Sequence, residues 1–345
     1  MNDDAAIGPG RPDPVYPELE RGLADPALLP DRAIAFVLCV CSSYAYGDVD
    51  TVARIMDRLG LTRNRCRMIS EYVDALFLTS TAYLIQSEDG SVAILCYRGT
   101  PPTSVVTWLT DFQIEPVTID VPALSDEKHP AEVHSGFYRN VRSTRSRIVE
   151  LLEKAIRGES ILEPDPTAEE KPPTSRLKAL YITGHSLGAA SAALLAALLV
   201  AEDRTYETIR DPLKAVYTYG SPMIGNAAFA NACDKNDFLR DNVFRYVYGH
   251  DVVPRVPPKA SGDFRHFGRE YRYTPAGANG QWHESKKPLG QLHNVLQLAT
   301  APLAILTKGL TRTRNIPFHA SLSDHFPQYY LDALAPTRPR SEFGR

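Results

Sequence analysis

The five cysteines, Cys39, Cys41, Cys66, Cys96 and Cys233, form an odd set without C-x-x-C spacing. That pattern argues against a disulfide framework or a thiolate zinc site and predicts free, mostly buried thiols. Neither sign of charge dominates: 38 Lys plus Arg against 41 Asp plus Glu leave a net charge of −3. With the cations scattered rather than clustered, no face is basic enough for nucleic acid. No apolar run reaches the ~20 residues of a membrane span. The two longest are Leu187 to Ala201 and Val295 to Leu306, the second interrupted by Pro302. The opening Met1-Asn2-Asp3-Asp4 lacks the basic start and apolar run of a secretory signal, so the expected location is cytoplasmic as written, or outside the cell if a signal was trimmed.

What is present is ample material for a core. The 345 residues are 43% hydrophobic, enough for one large α/β domain or two small ones. Pro9, Pro12, Pro14, Pro17 and Pro26 mark residues 1–30 as an extended arm. Helices are expected from Asp31 and over Asp48 to Leu59, the latter with Val52, Ile55, Met56 and Leu59 on one face. Tyr83 to Ile85 and Val92 to Tyr97 flank Asp89-Gly90 as a hairpin. A long helix spans about Phe137 to Ile156, and a charged, proline-rich surface loop occupies 160–176. Further strands are read at Leu177 to Ile182, Ala215 to Tyr219 and Val243 to Tyr248. Strands alternating with helices predict an α/β domain over 31–336, with a mainly parallel central sheet and helices on both faces. It carries an apolar insertion at 289–311, and 337–345 form a tail.

The chemistry points to Gly184-His185-Ser186-Leu187-Gly188, set between a buried strand and an Ala/Leu helix. A strand, a tight turn and a helix expose one hydroxyl at a helix N-terminus, where free N–H groups favour developing negative charge. Ser186 is therefore the candidate nucleophile, and His185 reads as a structural neighbour of the turn. A serine hydroxyl needs a base, and the base needs an acid to set its tautomer. Asp251 follows the Val243 to Tyr248 strand and is the candidate acid, ahead of Asp241 and Asp263. The downstream histidines are His266, His283, His293, His319 and His325. Position favours His325, with His319 as runner-up, and Ser323 or Asp324 is expected to cap a last helix. The N–H of Leu187 is one candidate oxyanion donor. Thr100, after the hairpin strand, offers a backbone N–H and a hydroxyl as the second.

These segments together resemble the class 3 lipases, a branch of the α/β-hydrolase fold, from about Tyr83 to Leu331. The resemblance rests on Cys96-Tyr97-Arg98-Gly99-Thr100, Val133-His134-Ser135-Gly136-Phe137, the Gly184 to Gly188 turn and Tyr217 to Pro222 with Gly225-Asn226. It continues in Asp251-Val252-Val253-Pro254-Arg255-Val256-Pro257 and in Asp324-His325 with Tyr329. It implies Ser186, Asp251 and His325 as catalytic triad and Thr100 with Leu187 as oxyanion hole. It also implies a lid near 101–112, in which Val105, Val106, Trp108 and Leu109 cover the serine. Thr107 and Ala189 depart from the family's usual residues, and the Asp251-to-His325 segment is longer than usual. The implied activity is hydrolysis of carboxylic esters of acylglycerols or related lipids, without metal or organic cofactor, with transient contact at a lipid interface. Alternatives are a phospholipase A1, a soluble short-chain or aromatic esterase, and a catalytically idle relative that binds an acyl ligand or a partner.

Overall fold

The computed structural model describes residues 4–6, 13–73, 78–100, 116–125, 128–164, 171–202, 206–275, 280–292, 321–337 and 341–343. The main sheet is assembled from strands β1 (Asp4–Ala6), β2 (Arg65–Val73), β3 (Leu78–Gln86), β4 (Val92–Tyr97), β7 (Ala179–His185), β8 (Leu213–Tyr219), β10 (Val243–Tyr248), β12 (Arg269–Thr274) and β13 (Gln281–Ser285). In space the order is β1-β2-β3-β4-β7-β8-β10-β12-β13. Strands β4, β7, β8, β10 and β12 run parallel, while β1 to β3 on one side and β13 on the other pair antiparallel. A smaller four-stranded sheet joins β5 (Pro116–Thr118), β6 (Glu132–His134), β9 (Gly225–Asn226) and β11 (Phe264–Arg265).

The central strands β4 and β7 are buried at every position because both their faces are covered. Side chains alternate between two cores: Ala93, Leu95 and Tyr97 of β4 and Leu180 and Ile182 of β7 enter one. Val92, Ile94 and Cys96, with Ala179 and Tyr181, enter the other. The helices, in chain order, are α1 (Leu19–Ala24), α2 (Arg32–Tyr44), α3 (Val49–Leu59), α4 (Ser135–Ile156), α5 (Leu187–Ala201), α6 (Glu207–Arg210), α7 (Ala227–Lys235), α8 (Asp237–Asn242) and α9 (Pro327–Leu334). The first core is closed by α4 and α5, the second by α1, α2, α3 and α9. The Asp31 and Asp48 side chains cap α2 and α3 by accepting from Ile34 N–H at 2.9 Å and Thr51 N–H at 2.7 Å. The part-buried Asp31 cap is worth about 1 kcal/mol.

The helices and strands expected from the sequence are present, with ends displaced by a few residues. Two differences have physical causes. Within the proline-rich stretch, residues 13–30 do not run extended throughout: they hold α1 and bury Val15, Leu19 and Leu23 in the second core. The outer strands β2, β12 and β13 escape an apolar-run reading because they are only partly buried and carry Arg, Glu or His among their apolar residues. All five cysteines are free and buried, as expected. Among the described residues no helix is long and apolar enough to cross a membrane.

Candidate active site

Ser186 lies where β7 ends and α5 begins, at φ 59° and ψ −128°. Such a backbone costs about 1–3 kcal/mol for a residue with a side chain and persists only where its surroundings enforce it. Those surroundings are close backbone approaches. A Cβ on Gly184 would run into the main chain of Gly188, and one on Gly188 into the Tyr97 carbonyl oxygen and the Arg98–Gly99 peptide. The two glycines thus bring the strand, the helix and the Arg98–Thr100 loop together at the serine. Although Ser186 occupies the N-cap position of α5, its hydroxyl makes no capping bond. Its Oγ is buried and has no hydrogen-bond partner among the described residues.

Asp251 follows β10 and is 1% exposed. Its Oδ1 accepts from Val253 N–H at 2.9 Å, and its Oδ2 accepts from the Tyr330 hydroxyl at 2.6 Å. The same Oδ2 lies 2.8 Å from His325 Nδ1. A carboxylate oxygen accepts, so Nδ1 carries the ring hydrogen and Nε2 presents its lone pair. That Nε2 is itself buried and without a partner among the described residues. Asp251 and His325 are 74 positions apart and are joined by pairing of their loops. Ser321 N–H donates to His250 O at 2.7 Å, and Asp324 accepts from His250 N–H at 2.9 Å and from the Ser321 hydroxyl at 2.8 Å. Neither Ser323 nor Asp324 caps the last helix, as had been expected. Helix α9 opens on Pro327 with no side-chain cap, and the Asp324 carboxylate bridges the two loops instead.

The remaining candidates sort by position. Leu187 is the first residue of α5, and Thr100 follows β4 on the loop that Gly188 admits. Val105, Val106, Trp108 and Leu109 lie outside the described residues, as do His293, His319 and positions 293–311 of the apolar insertion. Asp241 pairs with Arg240 and Asp263 with Arg265. Burial pushes His266 down to about 3, and its Nε2 is 2.7 Å from Pro254 O. His134, pushed down to about 4 by burial, accepts from Gly136 N–H at the start of α4.

Three site features escaped the sequence reading. The tyrosine on Asp251 is Tyr330, whereas Tyr329 stacks on Tyr248 and is 42% exposed. Helical phase from His325 would have separated them only with the helix start known. Gly220, at φ 59°, lies against the Asp251–His325 pair: a Cβ there would stand 2.8 Å from both Asp251 Oδ2 and His325 Nδ1. Only its place just after a strand hinted at this. The third is His185, whose ring packs on that of His325 at 4.5 Å between centroids.

Residues 94–261 match the family described as lipase (class 3). A triacylglycerol lipase of Ricinus communis is 27% identical over 273 residues, 70% of this chain and 49% of that one. The secreted mono- and diacylglycerol lipase A of Penicillium cyclopium is 26% identical over 238 residues, 67% of this chain and 66% of that one. The chain therefore spans about half the length of the Ricinus protein and just under two thirds of the Penicillium one. The relative named as secreted gives the cytoplasmic expectation no support. Among solved structures, a lipase from Rhizopus microsporus var. chinensis superimposes with a TM-score of 0.58 at 19% identity, covering 87% of this chain and 88% of that one. The fold is thus the α/β-hydrolase fold expected from the sequence, and residues 94–261, just under half of the chain, match the class 3 lipase family.

Proposed function

We propose that this chain is a serine hydrolase that cleaves carboxylic esters of acylglycerols, with Ser186 as nucleophile, His325 as base and Asp251 as the acid that orients the base. The observation that carries the reading is the pair of orphaned atoms, Ser186 Oγ and His325 Nε2, both buried and both unpartnered among the described residues. Each such atom costs about 1–3 kcal/mol. The serine adds the cost of its backbone conformation. A site serving only the fold would gain nothing for these expenses, whereas a nucleophile and base awaiting substrate need free atoms.

The chemistry follows from the hydrogen bonds. Ser186 Oγ attacks the ester carbonyl as its proton passes to His325 Nε2, and Asp251 stabilises the imidazolium through Nδ1. The tetrahedral oxygen is received by the N–H of Leu187, at the positive end of α5, and by Thr100. His325 returns the proton to the departing alcohol, and water repeats the sequence on the acyl-enzyme to release the acid. The reading includes a lid at residues 101–112, which lie outside the described residues, and a substrate that arrives from a lipid interface. The triacylglycerol and mono- and diacylglycerol lipases among the relatives support acylglycerol esters as the substrate class.

The test is the initial rate on tributyrin, carried through its solubility limit. Ser186→Ala and His325→Ala should each leave a folded protein at background rate, with loss of roughly 10³-fold or more. A variant that keeps most of its turnover removes that residue from the mechanism. A rate rise as droplets form supports the lid; smooth saturation below the limit removes it.

A further inference from the structure

We propose that Tyr46 and His185 are positioning residues for this reaction, holding the base and the oxyanion loop at the nucleophile through a hydrogen-bond chain that ends on the main chain of His325. The proposal rests on the triad reading above. It concerns two residues with no part in the proton transfers.

The His185 ring is held at both nitrogens. Nε2 lies 2.8 Å from the His325 carbonyl oxygen, and Nδ1 lies 3.0 Å from the Tyr46 hydroxyl. A carbonyl oxygen can only accept, so Nε2 carries the hydrogen and Nδ1 must accept from Tyr46. The direction of the chain is therefore set: Tyr46 O–H to His185 Nδ1, then His185 Nε2–H to His325 O. Burial, and the neighbouring His325, hold the His185 pKa well below the usual histidine value, so the ring stays neutral. Burial likewise pushes the Tyr46 hydroxyl up, which keeps it a donor.

Three segments of the site meet at this chain. His185 immediately precedes Ser186, so the bond to His325 O ties the base's backbone to the nucleophile's own turn. Tyr46 occupies the turn between α2 and α3, and the next residue, Gly47, accepts from the Tyr83 hydroxyl of β3 at 2.7 Å. Gly99 is the third contact, since a Cβ on it would collide with the Tyr46 hydroxyl and the His185 carbonyl. The loop carrying Thr100 is thus seated against the same two residues. Stacking adds a functional reason for neutrality. The rings of His185 and His325 are 4.5 Å apart and tilted by 31°. A second positive charge there would oppose the imidazolium that forms on His325 in the transition state.

The experiment uses Tyr46→Phe, which removes one hydroxyl, His185→Leu, which removes both bonds, and His185→Gln, whose amide can still donate to His325 O. Kinetics on a soluble p-nitrophenyl ester are corrected by active-site titration with a phosphonate, and thermal melts report folding. The expected result is a fall in kcat of about 10-fold for Tyr46→Phe and about 100-fold for His185→Leu, with KM within about twofold. His185→Gln should recover most of the loss. A kcat per titrated site within twofold of the parent in Tyr46→Phe overturns the proposal, even if His185→Leu fails to fold. So does a His185→Gln variant no better than His185→Leu when both are folded. Failure of the triad reading is distinguishable: the parent protein would then show no turnover that Ser186→Ala abolishes, and both readings would fall.

Discussion

Replacing Gly220 by alanine tests the site through a single methyl group. The residue follows β8 at φ 59°, a region where a Cβ costs about 1–2 kcal/mol. The new Cβ would lie 2.8 Å from Asp251 Oδ2, 2.8 Å from His325 Nδ1 and 2.9 Å from His325 Cε1. Ordinary contact begins at 3.4 Å, so the neighbours would have to retreat by about 0.6 Å. The atoms that must move are the two partners of the 2.8 Å Nδ1–Oδ2 bond. Moved apart by that amount, they leave the ~2.7–3.2 Å range of an N–H···O bond, and the histidine loses the partner that sets its tautomer. A misplacement of ~1 Å near reacting groups costs about 10²-fold, and loss of the correct tautomer about 10⁴-fold. Gly220→Ala is therefore expected to lower kcat by about 10²- to 10⁴-fold while destabilising the fold by only about 1–3 kcal/mol. The matched control is Gly262→Ala. Gly262 also has positive φ, at 118°, but its Cβ would meet only the Phe264 ring, at 3.5 and 3.7 Å. That variant carries the backbone strain without touching the site, and its kcat should stay within about threefold of the parent. Rates on a p-nitrophenyl ester and urea midpoints decide the matter. A Gly220→Ala protein with kcat close to that of Gly262→Ala would refute the reasoning.

Removing the Tyr330 hydroxyl with phenylalanine deletes a 2.6 Å bond to buried Asp251. The expected loss is about 1.5–3 kcal/mol of stability with about a 10-fold lower kcat, and unchanged values of both would contradict it. Stability should also fall in mild acid. Burial pushes His134 down to about 4 and His266 down to about 3 in the folded protein, against 6.5 for an ordinary histidine. The unfolded chain therefore binds more protons below pH 6.5, and the stability present above that value is lost as pH falls towards 4. Between pH 7 and pH 5 each of the two contributes a loss of about 2 kcal/mol, read from urea midpoints at the two pH values. Midpoints that coincide would show that these rings titrate freely in the folded state.

Much of this architecture was legible in the chain. Runs such as Val92 to Tyr97 and Ala179 to Ile182 are apolar at successive positions, which marks strands covered on both faces. The glycines around Ser186 were legible for a similar reason, because local backbone crowding leaves a local pattern. The outer strands β2, β12 and β13 were not, since many of their side chains are polar and partly exposed and mimic loop composition. The segment predicted as a lid falls outside the described residues, so the cover of the site stands as an expectation.

The division between sequence and tertiary structure follows the range of the interactions. By itself the sequence determined the alternation of strands and helices, the turn at Ser186 and the residue types from which Asp251 and His325 were chosen, all set by contacts within a few positions. Only the tertiary structure decided that Tyr330 and not Tyr329 holds Asp251, that Gly220 leaves room for the Asp251–His325 pair, and that His185, held by Tyr46, reaches the His325 carbonyl. Those partners lie between 31 and 140 positions apart along the chain, as Gly220 does from Asp251 and His185 from His325. Their meeting depends on how the loops at the ends of β7, β8 and β10 fold over one another, and no local periodicity encodes it.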